Sequence, residues 1–429
     1  VITAGPSLDA HDAARLRRRA IFDFHKYDPQ FGDVSVLAPF ALRITPSTWR
    51  ALSTHAEALA REMLGAERAL LRAPSALREL DLPRSIRALL ATRFAGTETP
   101  TLARFVRFDF HETTDGWRIS EANSDVPGGF IEASGVAQLM LAHHARHSLP
   151  GDPAEALADA LASRLGEGAR VALVHATAYT DDRQVMLFLR DRLRARGVVG
   201  ALCSPAELAW RDGHATLRSA SEPRAPLDGV LRFYPGEWLP RLLLSASWWR
   251  FFRGGRTPVT NPGVALASQS KRFPLTWDRL DLAMPTWRAL LPETRDPRAS
   301  EVRLASGEWV LKPVLGRVGE GIGLPGVTGP KAWRECTRDA RRRPRAWIAQ
   351  RAFETRALET PLGLMYPCLG VFVIDGKASG VYGRLGRTPL VDGAAMEAAV
   401  LIDERSSADD LRTAERRPRV EREPHVERA

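Results

Sequence analysis

Residues 107–123 read RFDFHETTDGWRISEAN, and the fold turns on how this stretch is taken. Phe108 and Phe110 alternate with Arg107, Asp109 and His111, a period of two that predicts a strand with one apolar and one polar face. Thr113-Thr114-Asp115-Gly116 is turn chemistry and a second extended run follows, so the segment from Leu102 to Asp125 reads as a β-hairpin. Arg107 and Asp109 form one i, i+2 pair, and Glu121 and Asn123 form another. Whether the pairs share a face depends on the loop. A two-residue Asp115-Gly116 loop sets residue 109 opposite 122 and sends Glu121 to the other side. A three-residue Thr114-Asp115-Gly116 loop, with Gly116 left-handed, sets Asp109 opposite Glu121 and Arg107 opposite Asn123.

The second alternative gathers two carboxylates, an amide oxygen and a guanidinium. Facing carboxylates repel unless a cation lies between them, and this is the hard-oxygen set that Mg²⁺ accepts when phosphates complete its octahedron. The competing reading is a solvated sheet face carrying an Arg–Asp pair, which is worth little.

Further along, residues 309–323 read WVLKPVLGRVGEGIG: a strand delivers Lys312, and glycines follow at 316, 319, 321 and 323. Such glycines let backbone N–H groups close around phosphate oxygens beside a point positive charge. The lysine precedes the glycines and GxxxxGK[ST] is absent, so this is not a Walker loop. Only five of the 61 basic residues are lysines, so a lysine here is a choice made against an arginine background. Lys271, after Ser268-Gln269-Ser270, is another. The strand around Gln350 and the Arg384 that follows Gly380-Val381-Tyr382-Gly383 complete the candidate set. For each of these the ordinary alternative is a solvated or salt-bridged surface residue.

The chain has 429 residues, about three times the ~150-residue prior for one domain, which predicts two or three domains. With 44% hydrophobic and 26% charged residues it is globular in composition, which excludes disorder as its general state. The formal charge of +10 is spread over interleaved acids and bases, a mixed surface that does not favour nucleic acid. Three separated cysteines make neither a disulfide framework nor a CxxC metal site. No run approaches the ~18 apolar residues of a membrane span, and no export signal opens the chain. The expected setting is the cytoplasm, with no membrane partner.

Around these motifs the pattern predicts a helix from Pro46 to about Ala73 capped by Thr45, and another from Phe130 to His147. A boundary falls at Pro150-Gly151. A βαβ unit follows, with strands at Val171-Ala172-Leu173-Val174 and Gly197-Val198-Val199. Later strands are expected at Glu308–Lys312, Ala346–Arg351, Gly370–Ile374 and near Ala378–Arg384, with a disordered charged tail of about 25 residues.

Taken together, the motifs resemble the circularly permuted ATP-grasp synthetases typified by glutathionylspermidine synthetase. Arg107-Phe108-Asp109 with Glu121-Ala122-Asn123 is similar to the family's RFD…ExN metal hairpin, and Lys312-Pro313…Gly316-Arg317…Gly319 to its KP…GR.G loop. Lys271 stands at the family's Ser-Asn-Lys position, although Gln269-Ser270 precedes it here; Gln350 and Arg384 match the hinge-strand glutamine and the late arginine. The resemblance implies a mixed α/β, permuted ATP-grasp-like fold with an added pre-ATP-grasp βαβ subdomain. It divides the chain into 1–150 (helices and metal hairpin), 151–266 (α/β subdomain), 267–403 (ATP-binding region) and the tail 404–429.

It also implies chemistry. ATP is expected on Lys271, Lys312, Gly316, Arg317, Gly319, Gly321 and Gln350, and Mg²⁺ on Asp109, Glu121 and Asn123. Arg107 and Arg384 are the expected catalytic residues, stabilising an acyl phosphate that an amine converts to an amide. The partners implied are a small-molecule or peptide carboxylate and an amine, polyamines being one candidate class. The alternatives are a phosphotransferase that stops after phosphorylation, and a non-catalytic basic protein that uses Arg341-Arg342-Arg343 on acidic partners.

Overall fold

The computed structural model describes residues 1–32, 34–92, 102–218, 225–304, 306–316 and 319–404. Its central element is an antiparallel sheet in the order Met396–Ala398, Lys377–Gly386, Gly363–Ile374, Phe105–Thr113, Gly116–Asn123, with Leu358–Thr360 added beside Gly363–Ile374. The early hairpin thus pairs with a strand from near the end of the described chain, Asp109 standing opposite Gly370. The later hairpin turns on Asp375 and Gly376, both at positive φ (47° and 82°), the handedness a two-residue turn needs to match strand twist.

The long helix covers Pro46–Arg72; Thr45 accepts from the Thr48 N–H, and Pro46 occupies the first turn, where a missing donor costs nothing. Its stripe of Leu52, Ala56, Leu59, Met63 and Leu70 shares one core with Phe108, Phe110 and Ile119 on the apolar face of the hairpin. A parallel sheet runs Val259–Thr260, Gly229–Arg232, Arg170–Val174, Val199–Cys203, and the helix Thr180–Arg194 crosses between the last two strands as a βαβ unit requires. A smaller sheet, Thr294–Arg295, Trp347–Arg351, Trp309–Pro313, packs Trp309, Leu311 and Trp347 with Cys336 and Ala340 of the helix Pro330–Arg342.

The structure corrects three expectations, the first being the strand expected at Gly197-Val198-Val199, which begins only at Val199 and runs to Cys203. The helix expected to reach His147 runs only from 130 to 141 and includes a wide π turn, Glu132–Val136. Its continuation is taken by strand pairing: His147 and Ser148 lie opposite Asp403 and Ile402, after a reversal at Arg146 with φ 64°. The strand expected at Gly370–Ile374 begins at Gly363, because Lys377–Gly386 pairs with it back to Tyr366 and Leu358–Thr360 pairs with Gly363, Leu364 and Met365. The expected tail lies beyond the described residues except for Glu404. Among the described residues no helix is long and apolar enough to cross a membrane.

The parallel sheet is fastened to the hairpin by polar groups satisfied in full view of the core. Asn261 bonds both the N–H (3.0 Å) and the carbonyl (2.8 Å) of Phe105, and also the carbonyl of Asp125 (2.9 Å). Arg232, wholly buried, is paired with buried Asp125, whose other oxygen accepts from the Gly236 N–H at 2.8 Å. Removing one partner of a buried pair strands the other charge at a cost of ~3–5 kcal/mol. Asp125→Ala is therefore expected to lower unfolding stability by about that amount. A urea titration showing a loss under about 1 kcal/mol would mean the pair is dispensable.

Candidate ligand cleft between two sheets

Thr113 stands opposite Gly116, so the hairpin loop is Thr114-Asp115, neither of the loops considered from sequence. Thr113 Oγ1 donates to the Gly116 carbonyl (2.7 Å) and accepts from the Asp115 N–H (3.2 Å), while Gly116 takes φ 99°. The register then shifts between Asp109 and Phe110, where Ser120 is the extra residue of a β-bulge. Past the bulge Asp109 faces Glu121 and Arg107 faces Asn123. The four polar residues share a face, by a bulge instead of a longer loop.

Each carboxylate has its own cation. Arg107 grips Asp109 with Nε to Oδ1 (2.7 Å) and Nη2 to Oδ2 (2.9 Å), and Asn123 Nδ2 donates to Oδ2 at 3.1 Å. Burial works against the Arg107 charge, but Asp109 outweighs it and the guanidinium is held above its ordinary range. Lys271 Nζ lies 3.2 Å from Glu121 Oε2 and donates to the Gly316 carbonyl at 2.8 Å. Burial raises the Glu121 carboxyl, yet Lys271 and Lys312 together bring it down to about 2.

Lys312 points from the smaller sheet toward the hairpin. Its Nζ donates to Gln350 Oε1 (2.7 Å) and to the carbonyl of the bulge residue Ser120 (3.0 Å), and Gln350 Nε2 continues to Thr294 Oγ1 (3.1 Å). Burial, with Lys271 adding to it, lowers the Lys312 ammonium to about 8 against the pull of Glu121 and Asp109. The bulge therefore turns a main-chain oxygen toward the ammonium and ties the two sheets together.

Between the sheets lies an open cleft lined by Asp109, Glu121, Lys312, Gly319, Gln350 and Arg384, with apolar walls that include Val310, Leu324 and Phe353. Lys271 lines a small adjoining hollow that shares Glu121, Lys312 and Gln350 with the cleft. Arg107 and Asn123 stand behind Asp109, and Gly316 joins through its carbonyl on Lys271. Arg384 Nη2 donates to the Asp392 carbonyl at 2.6 Å. Gly319, at φ 72°, presses on the same segment: a Cβ there would lie 2.9 Å from the Val391 carbonyl oxygen. Gly321 does not face the cleft; its Cβ position meets Pro313 and its carbonyl meets Cys336 Sγ. Arg317 lies outside the described residues.

The sequence reading missed His111 and Ser120 as cleft residues. His111 Nε2 lies 3.0 Å from Ser120 Oγ, its Nδ1 has no partner among the described residues, and burial lowers the ring to about 4, so it is neutral at physiological pH. The signal was present, since His111 continues the alternation of Arg107 and Asp109. Ser120 carried none, because nothing in its side chain distinguishes a bulge from a paired position.

Comparison with known proteins follows the same outline. A family model described as glutathionylspermidine synthase preATP-grasp matches residues 11–402. No curated protein matches the chain. Among solved structures, a glutathione synthetase-like effector from Globodera pallida, in its apo form, aligns with a TM-score of 0.62 at 12% identity, covering 91% of this chain and 96% of that one. A putative gamma-glutamylcysteine synthetase from Methylobacillus flagellatus KT aligns with a TM-score of 0.42 at 12% identity, covering 79% of this chain and 88% of its own.

Proposed function

The chain belongs to the glutathionylspermidine synthase preATP-grasp family, with a mixed α/β fold of ATP-grasp type and a ligase-type function, and from that premise we propose that it is an ATP-dependent carboxylate–amine ligase. The observation that carries the reading is the meeting of Asp109, Glu121, Lys312, Gly319, Gln350 and Arg384, from separate stretches of chain, around one cleft. The division at about residues 150, 266 and 403 belongs to the same proposal.

ATP is the phosphoryl donor. Lys312 and Lys271 hold phosphate charge, Gly316 and Gly319 belong to the loop whose backbone closes on it with Gly321 packed on Pro313 behind them, and Gln350 keeps the Lys312 ammonium on station. The donor set fits Mg²⁺: two carboxylates on adjacent strands, and an asparagine whose Nδ2 is engaged with Asp109 and whose Oδ1 is the remaining oxygen. Asp109, Glu121 and Asn123 would hold the ion, which when bound neutralises phosphate charge. Arg317 joins the loop in this scheme by its place in the motif.

The substrate carboxylate attacks the γ-phosphorus, the bond to ADP breaks, and an acyl phosphate forms. An amine nitrogen then attacks the acyl carbon, phosphate departs with the C–O electron pair, and the amine proton passes to solvent. Arg107 and Arg384 stabilise the charge that gathers on the acyl phosphate and on the tetrahedral intermediate. The acid is a small molecule or peptide, and the amine is of the polyamine class.

The test is an ADP-release assay over pairs of carboxylates and amines, with mass spectrometry of the products. The expected result is ADP formed only when acid and amine are both present, with a product lighter than their sum by one water. ADP formed with the acid alone, and a stable phosphorylated product, would replace ligation by phosphotransfer.

A further inference from the structure

We propose that Tyr382, tethered to a buried ion cluster around Lys26, is a positioning residue that holds Arg107 against Asp109. The functional consequence rests on the ligase reading above, whereas the placement itself does not. Across the central sheet, Glu121, Asp109, Gly370 and Tyr382 stand in one row of opposed residues. Gly370 has no side chain in that row, and Arg107 fills the gap: a Cβ at Gly370 would lie 2.6 Å from Arg107 Cδ. The guanidinium is thus enclosed by Asp109 on one side and by the Tyr382 ring on the other, 5.1 Å from the ring centroid. The Gly128 carbonyl closes the slot, accepting from Arg107 Nη1 at 2.6 Å.

Tyr382 is itself held from two directions. Gly129, at φ 98°, presses on its ring so closely that a Cβ there would lie 2.6 Å from it. Its hydroxyl donates to Glu397 Oε1 at 3.1 Å, and the other Glu397 oxygen faces Lys26 Nζ at 2.9 Å. Lys26 is 1% exposed and also meets Glu132 (2.5 Å) and Asp28 (2.8 Å). An ammonium stripped of water this completely persists only because three carboxylates surround it, and in doing so it ties residues from three distant stretches of chain to one point. Glu397 is also the cross-strand neighbour of Arg384, so one anchor lies under both arginines. None of these buried groups is needed to bind phosphate or metal in the proposed reaction, which leaves the placement of Arg107 as their effect on chemistry.

Tyr382→Leu removes the ring and the tether, Tyr382→Phe removes the tether alone, and Gly370→Ala keeps the tyrosine but fills the slot. Crystal structures of Tyr382→Leu and Gly370→Ala are expected to show the guanidinium displaced from one or both Asp109 oxygens. The kcat for ADP release should fall about tenfold or more while the KM for ATP stays within about twofold, the pattern of an interaction used after nucleotide binding. Tyr382→Phe, which keeps the ring but loses the tether, should give a kcat between those of wild type and Tyr382→Leu. The proposal is overturned if Arg107 keeps both contacts in these structures, or if kcat stays within twofold of wild type. If Tyr382→Leu does not fold, Tyr382→Met, which also lacks the ring and the hydroxyl, decides by the same two criteria. Wild-type protein that releases no ADP would remove the ligase reading, while the crystal structures would still decide the placement.

Discussion

Lys312→Met is expected to weaken MgATP binding about a hundredfold and to bring ADP release to background, with the fold retained. Lys312 is buried and hydrogen-bonded across the cleft, so a phosphate meeting it does so with little water to weaken the attraction. Truncating one partner of such a desolvated pair costs roughly 2–5 kcal/mol, and ~3 kcal/mol is about a hundredfold in affinity. The fold is spared because methionine fills the same stem volume and removes a charge that burial already disfavours. Titration calorimetry with MgATP measures the loss; wild-type affinity in the folded variant contradicts the assignment.

The same lysine gives the pH dependence a definite sign. Ligand-free, its ammonium is lowered to about 8 by burial, so near pH 8 a sizeable fraction is uncharged. Bound phosphate favours the charged form and raises that value again. Binding near pH 8 and above therefore takes up a proton, and affinity falls as pH rises beyond 8, by at most about tenfold per unit. Calorimetry in buffers of different ionisation enthalpy reads the uptake directly, and it should vanish in Lys312→Met.

Asp109→Asn is expected to lower metal-dependent turnover about a thousandfold or more, and here the protein pays in stability as well. The carboxylate is the proposed metal ligand and also the sole carboxylate gripping buried Arg107 among the described contacts. Asparagine keeps one acceptor oxygen but not the charge, leaving a buried guanidinium poorly compensated, at a cost of roughly 1–3 kcal/mol. Glu121→Gln separates the two effects, because its cation, Lys271, keeps the Gly316 carbonyl as a partner. Full turnover in Asp109→Asn, at any metal concentration, would remove the metal hairpin from the mechanism.

Much of this site was legible because its residues announce themselves locally. The alternation through Arg107 and Asp109 fixed one strand face, and a lysine followed by glycines marked the opposite wall of the cleft. The face shared with Glu121 and Asn123 was one of two open alternatives, and it arises from a bulge at Ser120 that no side chain signals. Gly319 lines the cleft while Gly316 and Gly321 both pack on Pro313, a distinction that depends on how the loop folds and not on composition. The helix expected through His147 stops early because its competitor, the strand Val400–Asp403, lies far along the chain. The Lys26 cluster was illegible for the same reason: Asp28 is a neighbour, but Glu132 and Glu397 reach it only through tertiary structure.

The pairing of Asp109 with Gly370 sets a schedule for biosynthesis. Until Gly363–Ile374 has left the ribosome, the Phe105–Thr113 edge of the early hairpin has no strand to pair with, although its apolar face can already pack on the helix Pro46–Arg72. Contacts this remote in sequence slow acquisition of the native state, and a waiting sheet edge invites association with other nascent chains. Expression yield should therefore respond to chaperone supply and to translation speed across the codons for Gly363–Ile374, and stop codons placed just before Gly363 should give material that aggregates.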